Sequence, residues 1–405
     1  MQNIEKKISV LHIITNLPVG GAQDNTLLTV EQLNRKKFNI TLMCGLHGEW
    51  VERAKAIQDI DLIFIKELVR PISLIKDLIA LNRIYRIFKE KKFDIVHTHS
   101  SKPGVLGRIA AKLTGIPIVV HTIHGFPFHD FMNPITKSIF ITIEKLLAKI
   151  TDKLITVSKL NLEKACKLKF ADRERFQNIY SGIDFKKFDI PLDVVAKKKE
   201  LGIVNGQPIV GMVGRLSKQK APLDFVRSTP KILDKHPNVK FLLVGDGELK
   251  AQTLSLAKEL GVSQNIEVLG FRKDIPELLS IFDIYVLTSH WEGLGRALTE
   301  AMYTGRPVIA TNVEGVPELV KDRETGLLVE PNDIEAISQA VISLLDNRSD
   351  ALKYGAAAAK QVCEKFEATA MIRQIESLYQ ELLTTKGLSS ELTAKVNRLT
   401  DAVHP

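Results

Sequence analysis

The sequence has little of what marks several classes of protein. Its 405 residues include only three cysteines (Cys44, Cys166 and Cys363), which are too scattered for a disulfide framework or a paired metal knuckle. No apolar run approaches the length of a membrane-spanning helix. The composition is otherwise that of a globular protein, with 45% hydrophobic and 25% charged residues, and the length allows two domains of normal size.

The N-terminus also lacks the pattern of a secretory signal peptide. The apolar stretch after Lys7 is short, and no cleavage site follows it. We therefore expect residues 8–14 to form a first strand. We also expect the protein to reside in the cytoplasm, where it could work on the inner face of the cytoplasmic membrane.

Basic residues are concentrated in the first half of the chain. Residues 1–187 contain 30 lysines and arginines against 18 acidic residues, whereas the remainder contains 26 against 29. Residues 72–92 and 135–149 combine basic and apolar residues at helical spacing. Such segments fit amphipathic helices packed on a sheet, or a surface that docks on an anionic membrane. A nucleic-acid-binding protein also fits the net charge, but we find no recognition helix or aromatic stacking motif and expect no nucleic-acid partner.

Short segments rich in isoleucine and valine alternate with longer amphipathic stretches along the chain. This alternation predicts an α/β fold with two parallel, helix-covered sheets. We place the change of domain near Ser181–Asp184 and the stretch after it, which gives domains at 1–187 and 188–365. The predicted strands lie near residues 8–14, 39–43, 61–65, 93–97, 117–121, 154–157, 177–180, 208–213, 239–244, 265–269, 283–288, 307–310 and 327–329.

The most informative segment is 289–302, which contains Glu292 and Glu300. It follows an apolar run that predicts a buried strand, and it leads into a predicted helix. Glu292 therefore lies in a loop at the carboxyl end of a strand, and Glu300 lies about one turn into the helix. Backbone N–H groups at this helix N-terminus favour an anion, and they belong to Gly293, Leu294 and Gly295. Sugar nucleotides combine the phosphates and vicinal hydroxyls that suit such a site.

Two other loops at predicted strand ends of the second half carry candidate binding residues. Gly214 begins a turn that contains Arg215 and Lys220, and two cations at this spacing suit a diphosphate. Phe271 and Arg272 follow a later strand. We expect them, with nearby backbone groups, to hold a base.

In the first half, Gly20 and Gly21 form a tight turn whose bare backbone can approach a phosphate just before a helix. The turn is not a G-x-G-x-x-G motif, so a dinucleotide site is disfavoured. Two later strands end in histidines at positions 97, 99, 121 and 124. A metal cluster is disfavoured there because no carboxylate or cysteine stands at ligand spacing. We expect His97 and His121 to face the sheet interior with backbone partners, and His124 to contact the substrate.

In their order along the chain, these motifs resemble the retaining glycosyltransferases of the GT-B fold, in the large group called family 4. The resemblance spans residues 8 to about 380. It implies two Rossmann-like domains facing each other across a cleft, with the acceptor bound by the first and the nucleotide sugar by the second. It also implies that residues 366–405 contain a helix that crosses back to the first domain, followed by a polar tail. The matching motifs are Gly20-Gly21, His124-Gly125, Arg215 with Lys220, Gly270-Phe271, Glu292 with Glu300, and Gly315–Glu318.

The resemblance implies a role for each matching residue of the second domain. Arg215 and Lys220 would neutralise the donor diphosphate without a metal or other cofactor. Glu300 would hold the ribose hydroxyls, and Glu292 would hold hydroxyls of the transferred sugar. The amides of residues 293–295 would reach the sugar or the phosphate.

In the first domain, Gly21 would cap the diphosphate and His124 would touch the sugar near the reacting carbon. Two positions depart from the family pattern. Gln23 stands where an acidic residue is common, which bears on the acceptor. Ser181 stands where asparagine is usual, near the change of domain.

The activity implied is transfer of a hexose or an N-acetylhexosamine, with retention, from a UDP-linked sugar to a lipid-linked or glycan acceptor in cell-surface polysaccharide synthesis. The basic first domain favours an anionic lipid carrier. We hypothesise that the leaving phosphate takes the acceptor proton, because no second carboxylate flanks His124. A sugar-nucleotide epimerase of the same fold remains an alternative.

Overall fold

The computed structural model describes residues 7–128 and 132–388, which form two compact units. Unit 1 comprises the chain up to Gly182 and resumes at Ala368, and unit 2 comprises Ile183–Glu367. The units divide five residues before the boundary placed from the sequence at 187/188. The polar tail expected beyond residue 388 lies outside the described residues.

Unit 1 is a parallel sheet with helices against it. Its strands are β1 (Ile8–Ile13), β2 (Phe38–Cys44), β3 (Ile60–Phe64), β4 (Ile95–His99), β5 (Ile118–Ile123), β6 (Lys153–Thr156) and β7 (Phe176–Asn178). They pair in the order β3-β2-β1-β4-β5-β6-β7. Its first six helices are α1 (Gly21–Gln32), α2 (Val51–Ala56), α3 (Leu74–Lys91), α4 (Ser101–Thr114), α5 (Pro134–Ala148) and α6 (Lys159–Lys167).

Both faces of this sheet are buried, as expected for parallel strands covered by helices. Val10 of β1 belongs to a core that includes residues of α1, and the next residue, Leu11, belongs to another core that includes residues of α3 and α4. Successive residues of one strand therefore enter different cores. This explains why the strands read as continuous apolar runs in the sequence.

Unit 2 repeats the architecture with six strands. These are β8 (Ile209–Val213), β9 (Lys240–Val244), β10 (Ile266–Gly270), β11 (Ile284–Leu287), β12 (Val308–Thr311) and β13 (Leu327–Val329), in the order β10-β9-β8-β11-β12-β13. Its helices are α7 (Val194–Glu200), α8 (Pro222–Lys235), α9 (Lys250–Glu259), α10 (Ile275–Ile281), α11 (Arg296–Tyr303), α12 (Val316–Leu319), α13 (Ile334–Asp346) and α14 (Arg348–Lys365). The predicted α/β class with two parallel sheets is confirmed.

The last described helix, α15 (Ala368–Thr385), belongs to unit 1. It contacts α1, where Asn25 Nδ2 donates to Met371 Sδ at 3.0 Å, and the segment that follows α1, where Glu376 accepts from the Asn34 backbone N–H at 2.8 Å. Its Tyr379 is fully buried. Within residues 7–128 and 132–388, no helix is both long and apolar enough to cross a bilayer.

The predicted ends of three strands are wrong by two residues, among them that of β7, which was expected at 180 and lies at Asn178. The strands expected at 93–97 and 117–121 instead occupy Ile95–His99 and Ile118–Ile123. Aspartates hold the neighbouring strands at their entries, because Asp94 accepts from the Ser9 N–H and Asp152 accepts from the Val119 N–H, each at 2.8 Å. His97, His99 and His121 therefore lie within strands, and His124 directly follows β5.

Candidate active site

Several candidate residues of unit 2 lie where its strand order reverses. The chain moves outward from β8 to β10 on one side and from β11 to β13 on the other, so the loops after β8 and β11 are neighbours. In open parallel sheets this switch point is where ligands bind. Arg215 and Lys220 lie in the first of these loops, and Glu292 lies in the second.

Lys220 and Glu292 contact each other directly. The Lys220 ammonium donates to Glu292 Oε1, and the Ser289 hydroxyl donates to the same oxygen at 2.8 Å. The Glu292 backbone N–H donates to Glu314 at 3.0 Å. Only 5% of Glu292 is exposed, and a buried carboxylate requires such partners. The structure thus brings together two residues to which the sequence analysis gave separate roles.

Backbone contacts hold the two loops together. The Thr288 hydroxyl donates to the carbonyl of Lys220 at 3.0 Å, and the His290 N–H donates to the carbonyl of Gln219 at 2.8 Å. The Gln219 side chain donates to the carbonyl of Trp291 at 3.0 Å. These bonds fix the position of the lysine relative to the glutamate loop.

Arg215 is half-buried, and no side chain in the described part of the protein bonds its guanidinium. The loop that carries it is supported from behind by Gly245, whose φ of +142° favours glycine. A Cβ at Gly245 would lie 2.0 Å from the Gly214 carbonyl oxygen. The loop after β9 therefore packs tightly against Gly214. The Arg215 guanidinium is a planar cation, and its donors remain available at the switch point.

Glu300 lies on α11 with 7% of its surface exposed. Its Oε1 accepts from Arg296 Nε at 3.1 Å and from Lys187 Nζ at 3.2 Å. Lys187 was not predicted from the sequence as a partner of Glu300, because it precedes Glu300 by 113 residues. These bonds hold the carboxylate in place near the start of its helix.

Gly295 precedes α11 in a left-handed conformation, with φ of +101°. The helix begins at Arg296, so residues 293–295 do lie at its N-terminus. The backbone at Gly315 approaches this loop closely: a Cβ there would lie 2.1 Å from the Gly293 carbonyl oxygen. A close backbone approach thus accounts for Gly315 without a ligand.

Phe271 and Arg272 follow β10, as predicted. The ring of Phe271 is 44% exposed. The Arg272 guanidinium is bonded to protein carboxylates, with Nε donating to Asp274 at 2.8 Å and Nη2 to Glu200 at 2.7 Å. The exposed ring is therefore the more available group for contact with a base.

In unit 1, Gly21 is the first residue of α1 and is exposed, and Gly20 has extended backbone. The first turn of α1 carries Asp24, whose carboxylate is paired with Arg53. That pairing offsets the negative charge next to the turn. The helix N-terminus is therefore still suited to an anion.

The histidines in β1, β4 and β5 form side-chain contacts. His97 bonds the Tyr379 hydroxyl at 2.6 Å and the Thr122 hydroxyl at 2.7 Å, and His121 bonds the Thr98 hydroxyl at 2.8 Å. The expected burial of His97 and His121 is confirmed. The expected backbone partner is wrong for His97, because both of its ring nitrogens bond hydroxyls. For His121, the Thr98 backbone contributes a hydrogen bond beside the Thr98 hydroxyl.

His124 joins this group through His99, whose Nδ1 lies 3.1 Å from His124 Nε2. His99 Nε2 in turn lies 3.0 Å from Nδ1 of His12. Sequence reasoning missed His12, which pairs with His97 across β1 and β4. Burial lowers the pKa of His12 and His124 to about 3 and holds the pKa of His97 and His99 well below the usual range. These rings are therefore neutral near pH 7.

The ligand atoms of His12, His97 and His99 lie within 4.8 Å of one another, close enough for a metal ion. Both ring nitrogens of each residue, however, lie within 3.3 Å of another protein group. Hydrogen bonds thus already account for all six nitrogens. The arrangement favours a hydrogen-bonded network over a metal site.

Comparison with known proteins identifies the family of the chain. Residues 193–361 match the family model described as "Glycosyl transferases group 1", and residues 19–187 match "Glycosyltransferase Family 4". The chain is 34% identical, over 95% of its length and 100% of the relative, to the Escherichia coli UDP-Gal:alpha-D-GlcNAc-diphosphoundecaprenol alpha-1,3-galactosyltransferase. The chain belongs to the group 1 glycosyltransferases. The predicted enzyme class, glycosyltransferase, is confirmed.

Two other known proteins are similar to this glycosyltransferase, one in sequence and one in structure. The Staphylococcus aureus capsular polysaccharide biosynthesis glycosyltransferase CapM is 26% identical over 93% of this chain and 98% of its own. The crystal structure of Anabaena HepE in complex with UDP and glucose superposes with a TM-score of 0.81, covering 92% of this chain and 100% of HepE at 20% identity. That likeness supports the GT-B fold.

Proposed function

We propose that this glycosyltransferase moves a hexose or N-acetylhexosamine from a UDP-sugar to a lipid-linked acceptor, with retention of configuration. The observation that carries the proposal is the placement of Arg215, Lys220 and Glu292 in adjoining loops at the switch point of unit 2. The E. coli relative supports the choice of chemistry, since its name specifies UDP-galactose and a diphosphoundecaprenol-linked sugar.

Unit 2 holds the donor in this proposal. The Arg215 guanidinium binds the diphosphate, and the Lys220 ammonium turns from Glu292 toward the phosphate oxygens. Release of the lysine leaves the Glu292 carboxylate to accept hydroxyls of the sugar. Glu300, already fixed by Lys187 and Arg296, accepts the ribose hydroxyls.

The chemistry follows from the charge that develops as the glycosidic bond breaks. The sugar becomes oxocarbenium-like, and negative charge grows on the leaving diphosphate. The two cations and the amides at the start of α11 stabilise that charge, and one such donor contributes ~3 kcal/mol, or ~10²-fold in rate. The cations take the place of a divalent metal ion.

Retention follows if the leaving phosphate oxygen takes the acceptor's proton on the face it has just left. The described residues around His124 include no carboxylate bonded to it that would act as a nucleophile. Trapping of a glycosylated side chain by mass spectrometry during turnover would contradict this route.

We place the acceptor and the membrane on unit 1. Helices α3 and α5 expose apolar side chains among lysines and arginines, with Ile75 and Ile135 each 73% exposed. This combination of exposed isoleucines and positive charge suits the inner face of an anionic bilayer. A lipid-linked acceptor would be presented at that surface, in the assembly of a cell-surface polysaccharide.

A donor and acceptor screen tests the proposal. UDP-galactose, UDP-glucose and UDP-N-acetylglucosamine are each incubated with and without an N-acetylglucosaminyl diphosphate lipid, and the product anomer is read by NMR. We expect UDP release and an α-linked product that both depend on the acceptor. Isomerisation of the donor without acceptor would instead identify an epimerase.

A further inference from the structure

A chain of hydrogen-bonding side chains runs through the core of unit 1 and ends at His124. Each member lies within 3.3 Å of the next. Its inner members are at most 3% exposed. From the inner end to the outer end, the members are Thr122, His97, Tyr379, His12, His99 and His124.

The neutral rings in this chain must all point their N–H groups the same way. A neutral imidazole has one N–H donor and one acceptor nitrogen. A ring bonded on both sides therefore accepts from one neighbour and donates to the other. The direction of one bond consequently fixes the direction of the next, from His12 through His99 to His124.

The hydroxyl protons select one of the two directions. If Thr122 donates to His97, then His97 donates to Tyr379 and Tyr379 donates to His12, and every hydroxyl proton is used. In the opposite direction the Thr122 proton has no acceptor among the described residues. Thr122 is only 3% exposed, and an unsatisfied buried donor costs ~1–3 kcal/mol.

We propose that this chain fixes the tautomer of His124. His99 donates to His124 Nε2, so the proton of His124 resides on Nδ1, and the residue offers the substrate a hydrogen-bond donor rather than a base. The part that concerns the substrate rests on the proposed function. Tyr379 is then a positioning residue, which acts on His124 through His12 and His99. A donor at this position agrees with a leaving phosphate that takes the acceptor's proton.

Nitrogen-15 NMR of the histidine rings tests the proposal on the full chain without donor or acceptor. A His124→Asn variant identifies the His124 signals. We expect wild-type His124 to be protonated on Nδ1. Thr122→Val and Tyr379→Phe, which remove the hydroxyl protons, should produce a mixture of both tautomers. Tyr285→Phe is the control, since it removes a buried hydroxyl that bonds the Val213 carbonyl in unit 2.

Kinetics provide a second readout of the same variants. Tyr379→Phe should lower kcat about twofold, in proportion to the molecules whose His124 lacks the donor, with little change in the donor's KM. The tautomer is read in the absence of substrate, so its result stands even if glycosyl transfer is not the activity. Wild-type His124 protonated on Nε2, or a tautomer unchanged in both variants, would overturn the proposal. So would one equivalent of zinc found by elemental analysis of the purified protein and lost in His12→Gln.

Discussion

The ammonium of Lys220 bonds the carboxylate of Glu292, although the two residues are 72 positions apart and come from different βα loops. The same oxygen accepts the Ser289 hydroxyl. The pair neutralises two charges in a largely buried setting. In the proposed function a diphosphate replaces the carboxylate as partner of the lysine. Binding of the phosphates would then release the residue proposed to hold the sugar.

Removal of the lysine should therefore stop transfer. We expect Lys220→Ala to lower kcat/KM by at least ~10²-fold, because one charge that stabilises the leaving diphosphate is lost. Steady-state kinetics measure the loss, and Lys231→Ala, in an exposed ion pair with Glu335, is the control. The double variant Lys220→Ala with Glu292→Gln should lose less transition-state stabilisation, calculated from kcat/KM, than the sum of the losses in the two single variants. An unchanged kcat/KM in Lys220→Ala would refute the phosphate role.

Recognition of the ribose should depend on Glu300. We expect Glu300→Gln to weaken UDP binding by about tenfold, because a charge-assisted hydrogen bond becomes a neutral one. The affinity for 2′,3′-dideoxy-UDP should hardly change. Calorimetry compares the two ligands, with Glu335→Gln as the control on the exposed surface. Equal losses for both ligands would place the ribose elsewhere.

The buried histidines should make unit 1 sensitive to acid. The pKa of His12 is about 3 in the folded protein against an ordinary value of 6.5, so the unfolded chain binds the proton more readily between these values. The stability that the neutral ring contributes is fully present above pH 6.5. It falls as the pH drops toward 3, by about 2 kcal/mol per such histidine at pH 5.

Denaturant unfolding between pH 7 and pH 5 measures this dependence. The slope of the unfolding free energy against pH counts the protons taken up on unfolding. His12→Gln should reduce that number by up to about one. His47→Gln, at an exposed position, is the control. A slope unaffected by His12→Gln would show that this ring is not held neutral by the fold.

Membrane binding should depend on the exposed isoleucines of unit 1. Ile75→Asp with Ile139→Asp places acidic groups on α3 and α5 without touching the core. We expect this variant to lose sedimentation with vesicles that contain phosphatidylglycerol, since both apolar burial and charge attraction are weakened. Leu352→Asp, at a residue 62% exposed in unit 2, is the matched control. Equal loss in both variants would argue against a specific face.

Local patterns in the sequence were sufficient to predict most of the fold. The alternation of apolar strands with amphipathic helices located all thirteen strands of the described residues, because parallel strands buried on both faces are continuous apolar runs. The ends of strands were predicted less accurately, as at β4, where the carboxylate of Asp94 bonds a neighbouring strand. That bond depends on sheet order, which local patterns do not encode.

Local patterns in the sequence also predicted part of the candidate site. Arg215, Lys220, Glu292 and Glu300 each follow a strand, so their common edge was predictable. Their pairing was not, because it depends on which strands are neighbours. Tyr379 lies 282 residues from its partner His97 and resembles an ordinary core aromatic in the sequence. Only tertiary packing reveals its contact with the histidines.

The central claim is that unit 2 binds a nucleotide diphosphate through side-chain cations and not through a metal ion. Its most direct test is a crystal structure of the protein with UDP bound in the presence of EDTA. We predict the diphosphate at Arg215 and Lys220 and the ribose hydroxyls at Glu300. UDP found elsewhere, or binding that is lost with EDTA and restored by Mg²⁺, would contradict the claim.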